Sequence, residues 1–313
     1  MPRLPALILA VEEPELYLHP ARSRYMAKIL RDLSLVNDPV AGAGTQILSV
    51  THSPYFVNVK YFDEVRMCRK RPVLEEGRPH ETIFESFTRL AAARRLAEIY
   101  ENDPESYTAN SFVARATPVL NSIVNEGLFA EIVVVVEGDS DVAAIWAMQE
   151  IMQMQWDENG IVVLPVGGKN NIDRAVVAFQ GVGIPTYFVF DGDISTRQGV
   201  NTNRALLRLA NVEPADFPAT GVYGGCAVFE DKIETYLRTA VGGRYDQILQ
   251  GCATQAGYIG RESLKNSEVM ALFVKTTSQE NIDLPLLREI VNMISIVGAQ
   301  FVVNPNEGVI ANE

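Results

Sequence analysis

Apolar residues in the second half of this chain fall into short runs that alternate with segments of helical length. Strand-like segments rich in apolar residues at 131–136, 161–165 and 186–190 are each followed by a helix-like segment, at 139–154, 170–180 and 201–210. Strand patterns that alternate with helix patterns predict a parallel sheet with right-handed crossovers. Short segments at 221–223 and 226–229 are expected to add strands to this sheet. The fold class expected for this part of the chain is therefore α/β.

The rest of the chain is predicted to contain three more strands and a mostly helical C-terminal part. Apolar runs at 7–11 and 46–50 predict buried strands, 63–69 alternates as a further strand does, and 72–79 is rich in turn residues. Pro20 is expected to open a helix near its first turn. Further helices are predicted at 87–101, 108–125, 229–240, 243–256, 266–276 and 283–297, and residues 302–313 are expected to fray.

Composition describes an ordinary globular protein without a membrane segment. The 313 residues are 47% hydrophobic and 21% charged, and no apolar run approaches the length of a membrane span. The three cysteines, Cys68, Cys226 and Cys252, lack metal-ligand spacing, which favours free thiols in a reducing, cytoplasmic location. The net charge of −12 argues against a simple basic clamp for DNA. It does not argue against a metal site, because a bound cation reverses the local potential.

Carboxylates follow two of the predicted parallel strands. The strand at 131–136 leads into Glu137-Gly-Asp-Ser-Asp141, and the strand at 186–190 leads into Asp191-Gly-Asp193. The carboxyl ends of parallel strands meet at one edge of a sheet, where α/β proteins place their chemistry. Clustered carboxylates repel one another and stay ionised most easily around a cation, and their oxygens suit Mg²⁺ or Mn²⁺. The sequence therefore predicts a divalent-metal site.

Other polar residues near these strand ends are candidates for the same site. Asp141 lies four residues after Glu137, so a strand-to-helix turn can direct both side chains to one ion. Asp139 has the alternative role of capping the helix that starts there. Ser195 can add a hydroxyl ligand. Glu230 and Glu234, at i and i+4 of a predicted helix, are candidate ligands of a second metal ion.

The spacing of Glu137-Gly-Asp-Ser-Asp141 and Asp191-Gly-Asp193 resembles the Toprim domain over roughly residues 130–235. This domain, a Rossmann-like parallel sheet flanked by helices, occurs in topoisomerases, bacterial primases, recombination proteins and OLD (overcoming lysogenization defect) nucleases. The order of elements matches, with Glu-Gly after the first strand, glycines after the second and Asp-x-Asp after the third. The resemblance implies metal-dependent chemistry on nucleic acid.

The N-terminal segment resembles part of an ATP-binding-cassette (ABC) ATPase. Glu12 and Glu13 after the strand at 7–11 resemble the Walker B motif, closest to that of SMC-like and OLD ATPases, in which such residues hold Mg²⁺ and orient the attacking water. Thr51-His52-Ser53-Pro54 resembles the switch histidine. The sequence contains no G-x-x-x-x-G-K-[ST] phosphate loop, and Gly167-Gly168-Lys169 lacks its spacing. We therefore expect no ATPase activity from these residues. ATP is expected to bind only with a missing N-terminal ATPase portion of a larger protein.

The pairing of Toprim with part of an ATPase domain resembles the OLD architecture. It implies a DNA endonuclease with two Mg²⁺ or Mn²⁺ ions, and a late lysine that assists cleavage. Lys265 is the favoured candidate, Lys275 is the second, and Lys169 is a candidate phosphate contact. Self-association is expected to use regions outside this fragment. The expected organisation is a partial ABC ATPase (1–70), a helical connector (71–127), the Toprim domain (128–235) and a C-terminal helical region that completes the nuclease site (236–313).

Two alternatives to a nuclease stay open at this point. Phe190-Asp-Gly-Asp-Ile-Ser-Thr196 superficially resembles the nucleophile motif of haloacid-dehalogenase phosphatases. In that family the motif follows the first strand, whereas here it follows two strand–helix units. A noncatalytic module that docks DNA or a protein partner is the other alternative, and the full set of carboxylates argues against it.

Overall fold

The N-terminal elements form a small parallel sheet with its crossover helix. The protein is represented by a computed structural model that describes residues 7–35, 45–71, 80–258, 260 and 263–303, so the predicted connection at 72–79 and most of the predicted tail lie outside the described residues. Strand β1 (Leu7–Glu12) pairs in parallel with β2 (Thr45–Val50), and α1 (Pro20–Leu35) lies between them in the chain.

Both strands were predicted, but the prediction that they are buried is wrong. Leu7, Ile8 and Leu48 are each more than half exposed. An apolar run indicates that the faces of a strand favour packing against other apolar residues. It does not show which part of the molecule packs against them. Within the described ranges, this sheet has only two strands, so much of its apolar surface is open.

The next elements lead from this sheet to the central one. Two 3-10 turns (Pro54–Phe56 and Val59–Glu64) precede the antiparallel pair of β3 (Met67–Arg71) and β4 (Glu81–Glu85), and then come α2 (Arg89–Ile99), α3 (Ala109–Ala116) and a 3-10 turn at Val124–Phe129. Thr88 and Thr108 cap the two helices through their hydroxyls. Strand β4 was not predicted. The β3–β4 pair also straddles the domain boundary expected at residue 70.

Five strands form the central sheet. They are β5 (Ile132–Val136), β6 (Ile161–Pro165), β7 (Thr186–Asp191), β8 (Gly221–Val222) and β9 (Cys226–Phe229), in the spatial order β6-β5-β7-β9-β8. All neighbouring pairs are parallel except β8 with β9. The crossovers contain α4 (Asp139–Ile151), α5 (Ile172–Gly181) and α6 (Val200–Leu209). The predicted α/β fold with a parallel sheet is confirmed.

The sheet is covered on both faces, which explains the unbroken apolar sequence of β5. All five of its residues are buried, with Val133 and Val135 facing one core and Ile132, Val134 and Val136 facing the other. The first core is completed by α2, α3, α5 and α6. The second is completed by α4 and by the C-terminal helices α7 (Ile233–Val241), α8 (Tyr245–Gln255), α9 (Ser267–Gln279) and α10 (Pro285–Val303). None of the described helices combines the length and the apolar character that a bilayer crossing requires.

Candidate metal centre

Glu137 lies where the ends of β5, β6 and β7 meet. Its carboxylate accepts a hydrogen bond from the backbone N–H of Asp191 (2.8 Å) and another from the backbone N–H of Lys169 (3.2 Å). Both donors follow or end strands that pair with β5 in parallel. The sheet therefore brings Glu137 and Asp191 together at its carboxyl edge, as the sequence predicted.

Asp141 approaches the same edge from the first turn of α4. Its carboxylate accepts a hydrogen bond from the backbone N–H of Gly138 (2.9 Å), and Gly138 is the N-cap residue. Asp139 lies exposed in that turn. The capping role considered for Asp139 is therefore wrong, because the side chain of Asp141 closes the helix start.

Lys169 and Asp193 form an ion pair beside Asp191. The Lys169 ammonium contacts the Asp193 carboxylate and donates a hydrogen bond to the backbone oxygen of Asp191 (2.7 Å). Lys169 is only 7% exposed. The loop before it bends through Gly167 and Gly168, whose φ angles of 76° and 123° favour glycine. A strongly charged side chain is thus buried within the carboxylate cluster.

The segment after β9 contributes Glu234, and it places Glu230 differently from the prediction. Because α7 begins at Ile233, Glu230 precedes the helix, and the predicted i, i+4 relation of Glu230 and Glu234 is wrong. Glu234 lies in the first turn of α7, close enough that its charge raises the pKa of Asp141 and of Asp191. Glu230 is exposed, and its backbone N–H donates to Thr220 Oγ1 (2.8 Å).

Asp231 is a site residue that the sequence analysis missed. Its carboxylate accepts hydrogen bonds from the Ser195 hydroxyl (2.5 Å) and the Thr235 hydroxyl (2.7 Å), and its backbone oxygen accepts from the N–H of Asp193 (3.1 Å). It therefore fixes the loop that carries Asp193, and it engages the hydroxyl of Ser195. A third acidic residue between Glu230 and Glu234 was the only available signal, and spacing alone could not identify the one that contacts this loop.

The cluster holds more negative charge than its surroundings compensate. Burial is the main cause that raises the pKa of Glu137, raises that of Asp141 to about 7, and raises that of Asp191 well above its usual value. The charge of Glu137 raises the pKa of Asp191 further. The Lys169 ammonium acts in the opposite direction on Glu137. An added cation would relieve this deficit.

The carboxylates of the cluster have the chemistry that suits a hard divalent cation, although their oxygen atoms do not all point to one position. Buried carboxylate oxygens are the ligands that Mg²⁺ and Mn²⁺ prefer. Within the part of the chain that the structure describes, no three acidic, histidine or cysteine side chains lie close enough to hold an ion as they stand. Backbone N–H groups engage one oxygen each of Asp141 and Asp191 and both oxygens of Glu137. The acidic side chains available to such an ion at this edge of the sheet are those of Glu137, Asp141, Asp191, Asp193 and Glu234.

The two lysine candidates lie at different ends of α4. Lys275 pairs with Glu150 (2.6 Å), and Glu150 lies nine residues after Asp141, or about 13 Å along the helix. Helix α9 packs along α4, so the residues that precede α9 lie towards the other end of α4. Lys265 is exposed in the 3-10 turn Ser263–Lys265, which also contacts α4. Lys265 is therefore nearer the carboxylate end than Lys275.

The N-terminal motifs also meet at strand ends. Glu12 and Glu13 follow β1, and the N–H of Glu13 donates to the backbone oxygen of Val50 at the end of β2 (2.8 Å). The N–H of His52 donates to the Glu15 carboxylate (2.9 Å). The two segments that resemble Walker B and the switch histidine are thus brought together at one edge of the small sheet.

Two family models each match part of the chain. Residues 128–193 match the model described as "Overcoming lysogenization defect protein-like, TOPRIM domain". Residues 3–57 match the model of an AAA ATPase domain. Residues 128–193 are thus similar to the Toprim domain of OLD-like proteins, and the segment before them is similar to an AAA ATPase domain. The resemblance to OLD proteins noted from the sequence is confirmed.

Curated relatives and solved structures carry the same family name. The chain is 28% identical over 184 residues to the OLD nuclease of Thermus scotoductus (59% of this chain, 30% of that protein). It is 23% identical over 203 residues to the Old nuclease of Escherichia phage P2 (64% and 30%). It thus spans under a third of the length of each. Similar structures include the C-terminal regions of the OLD proteins of Xanthomonas campestris pv. campestris (20% identity, 55% of this chain, 98% of that chain, TM-score 0.39) and Burkholderia pseudomallei (18%, 54%, 99%, TM-score 0.39).

The raised carboxyl pKa values predict how the stability of the metal-free protein depends on pH. The unfolded Asp141 carboxyl has its usual pKa near 3.8 and the folded one a pKa of about 7, so between these values the folded state binds more protons. Stability therefore falls as pH rises through this window. In EDTA, the Tm is expected to fall by several degrees from about pH 5 to about pH 8. Saturating Mg²⁺ is expected to reduce this dependence, and a Tm that rises over the same range would contradict it.

Proposed function

We propose that the cluster of Glu137, Asp141, Asp191, Asp193 and Glu234 is a divalent-metal centre that hydrolyses phosphodiester bonds of DNA. The observation that carries this proposal is the meeting of partly buried carboxylates, from the ends of β5 and β7 and the first turns of α4 and α7, at the carboxyl edge of a Toprim sheet. Mg²⁺ or Mn²⁺ bound there would supply a water molecule of lowered pKa and stabilise the charge on the leaving oxygen. The names of the two curated relatives, both called nucleases, support the same reaction class.

The roles proposed for the protein side chains follow from their positions. Glu137, Asp141 and Asp191 would hold the first ion, because desolvation raises the pKa of each and so disfavours its unpaired charge. Asp193 and Glu234, with Ser195 and Glu230 nearby, are the proposed donors for a second ion. Two ions would make this a two-metal nuclease. Asp231 would keep the Asp193–Ser195 loop in position.

A lysine beside the cluster is proposed to stabilise the negative charge that develops on the phosphate. Lys265 is favoured over Lys275 because of its position along α4. We expect Lys265→Met to lower the cleavage rate by about 100-fold and Lys275→Met by less than about threefold. Single-turnover cleavage of a labelled duplex, at equal protein concentrations, measures both. A larger loss for Lys275→Met would overturn the assignment.

The ATPase-like segment is proposed to contribute no ATP hydrolysis on its own. Glu12, Glu13 and His52 have the residue types of Walker B and the switch, and the sequence lacks the loop that cradles the phosphates. Phosphate release from ATP at the level of a no-enzyme control is the expected result. Hydrolysis that Glu13→Gln abolishes would contradict it.

A plasmid assay tests the proposed nuclease function. Supercoiled plasmid is incubated with the purified chain and Mg²⁺, Mn²⁺, Ca²⁺ or EDTA. Open-circular or linear product with Mg²⁺ or Mn²⁺, and none with EDTA, is expected. No product with any divalent ion would remove the proposal. DNA retention without cleavage would then favour a docking module, and a trapped phospho-aspartate at Asp191 would favour a phosphatase.

A further inference from the structure

Lys169 is as buried as a residue of the hydrophobic core, although it carries a charge that is usually found at the surface. Its side chain is 7% exposed, whereas lysines are almost never buried unless they are paired. The ammonium contacts the Asp193 carboxylate and the backbone oxygen of Asp191 (2.7 Å). An exposed phosphate-binding lysine would instead reach into solvent, so the simple role of phosphate contact does not explain this position.

The surrounding backbone is built to admit this lysine. Gly167 and Gly168 take left-handed φ angles, and they direct the chain so that the Lys169 N–H donates to Glu137 (3.2 Å). On the opposite side, a Cβ added to Gly199 would come 2.9 Å from the Lys169 ammonium. A residue larger than glycine at 199 would therefore crowd the lysine. Three glycines and a carboxylate thus define one position for this side chain.

The ammonium lies in the place where the cluster requires positive charge. The ammonium contacts the Asp193 carboxylate and attracts that of Glu137, and the charges of Glu137, Asp141, Asp193 and Glu234 all act on Asp191. A buried charge without a partner is strongly destabilising. Lys169 supplies a cationic side chain that interacts with two of these acids, Asp193 and Glu137.

We infer that Lys169 is a resident counter-ion of this centre, which occupies Asp193 and must release it before Asp193 can ligate a divalent ion. The inference rests on the proposed function, because it assigns an order to the filling of the proposed site. A first ion can bind the other carboxylates while Lys169 stays in place. A second ion competes with Lys169 for Asp193, and the displaced ammonium becomes available to the phosphate of a bound DNA strand.

The alternative is a permanent ion pair that only holds the loop together. Both roles predict that loss of the ammonium destabilises the metal-free protein, because Asp193 is then left without its cation. Only the counter-ion role predicts that the same loss strengthens metal binding, because a competing cation has been removed and one negative charge is no longer compensated. The metal affinity therefore distinguishes the two roles.

The test measures Mn²⁺ binding to the whole chain without DNA, by electron paramagnetic resonance of free Mn²⁺. Lys169→Met removes the charge and keeps an unbranched side chain, and Lys169→Arg keeps the charge. Lys60→Met, at an exposed lysine outside the cluster, is the matched control for the loss of one positive charge. The Tm of each protein in EDTA is measured in parallel.

We expect Lys169→Met to bind its weaker Mn²⁺ ion at least about tenfold more tightly than the unchanged protein, which corresponds to about 1.4 kcal/mol. Lys169→Arg and Lys60→Met are expected to stay within about twofold. The Tm of Lys169→Met in EDTA is expected to be lower, and Lys169→Met/Asp193→Asn is expected to recover part of that loss, since it removes both partners. If Lys169→Met folds only with Mn²⁺, its larger Mn²⁺-dependent rise in Tm gives the same comparison.

Unchanged or weaker Mn²⁺ binding by Lys169→Met would overturn the counter-ion role. That result together with plasmid cleavage by the unchanged protein would leave the proposed nuclease function intact. Tighter Mn²⁺ binding by Lys169→Met without any plasmid cleavage would support the counter-ion role and remove the nuclease function. The two proposals can therefore fail separately.

Discussion

Asp191→Asn is expected to abolish metal-dependent DNA cleavage and, at the same time, to raise the Tm of the metal-free protein. Asp191 is a partly buried acid in the cluster, and desolvation and the charge of Glu137 both raise its pKa. The amide removes this unfavourable charge. Its oxygen can still accept the hydrogen bond from the backbone N–H of Ile233, which Asp191 Oδ1 accepts at 3.2 Å.

The same substitution, Asp191→Asn, removes a proposed metal ligand. Changes outside the ligand shell of metal sites already cost about 10–100-fold, so a loss greater than about 100-fold is expected.

The opposite directions of the two effects make this prediction specific. Cleavage is measured on plasmid with Mn²⁺, and the Tm is measured in EDTA at about pH 8, because a higher pH favours the charged form of the carboxyls. Asp157→Asn, an exposed aspartate in the turn before β6, is the matched control and should change neither quantity. A variant that loses cleavage and also unfolds at a lower temperature would indicate a structural role for Asp191.

Glu137→Ala is expected to lose cleavage to a similar extent and, unlike Asp191→Asn, to lose order at the edge of the sheet. The Glu137 carboxylate accepts hydrogen bonds from two backbone N–H groups, those of Asp191 and Lys169. Each donor left without a partner costs about 1–3 kcal/mol. This loss opposes the relief of a buried charge. We therefore expect the Tm of Glu137→Ala in EDTA to lie below that of Asp191→Asn.

Backbone hydrogen exchange provides the independent measurement for Glu137. The amides of Lys169 and Asp191 should exchange faster in Glu137→Ala, and they should be unaffected in Asp157→Asn. Cleavage by Glu137→Ala within about tenfold of the unchanged protein would contradict the assignment of Glu137 to the metal centre. Unchanged exchange of the two amides would contradict the ordering role alone.

The order of elements in the central sheet was predictable because burial on both faces leaves a strong sequence signal. Residues 132–136 are all apolar and all buried, and each neighbouring helix pattern was placed within a few residues of the observed helix. Strand β4 was missed because its sequence, Glu81-Thr-Ile-Phe-Glu85, is largely exposed and follows a turn-rich segment. The pattern at 7–11 predicted a strand correctly and its burial incorrectly. The pattern of apolar residues predicts that a segment forms a strand. It does not predict which other elements pack against that strand.

The candidate site was predictable to the extent that strand ends determine it. Glu137 and Asp191 follow buried parallel strands, so topology alone brings them together. Asp193 and Lys169 were identified as candidates, but their pairing depends on left-handed backbone angles at Gly167, Gly168 and Asp193. Spacing in the sequence does not encode such loop conformations. The same limit explains why Glu230 was chosen where Asp231 makes the contacts.

The proposed metal-dependent nuclease centre is formed by the carboxylates at the ends of β5 and β7. The most direct test compares the unchanged protein with Asp191→Asn, purified in parallel, on supercoiled plasmid with Mn²⁺ and with EDTA. We expect open-circular or linear DNA from the unchanged protein with Mn²⁺ only, and none from Asp191→Asn. Equal cleavage by both proteins, or cleavage that persists in EDTA, would contradict it.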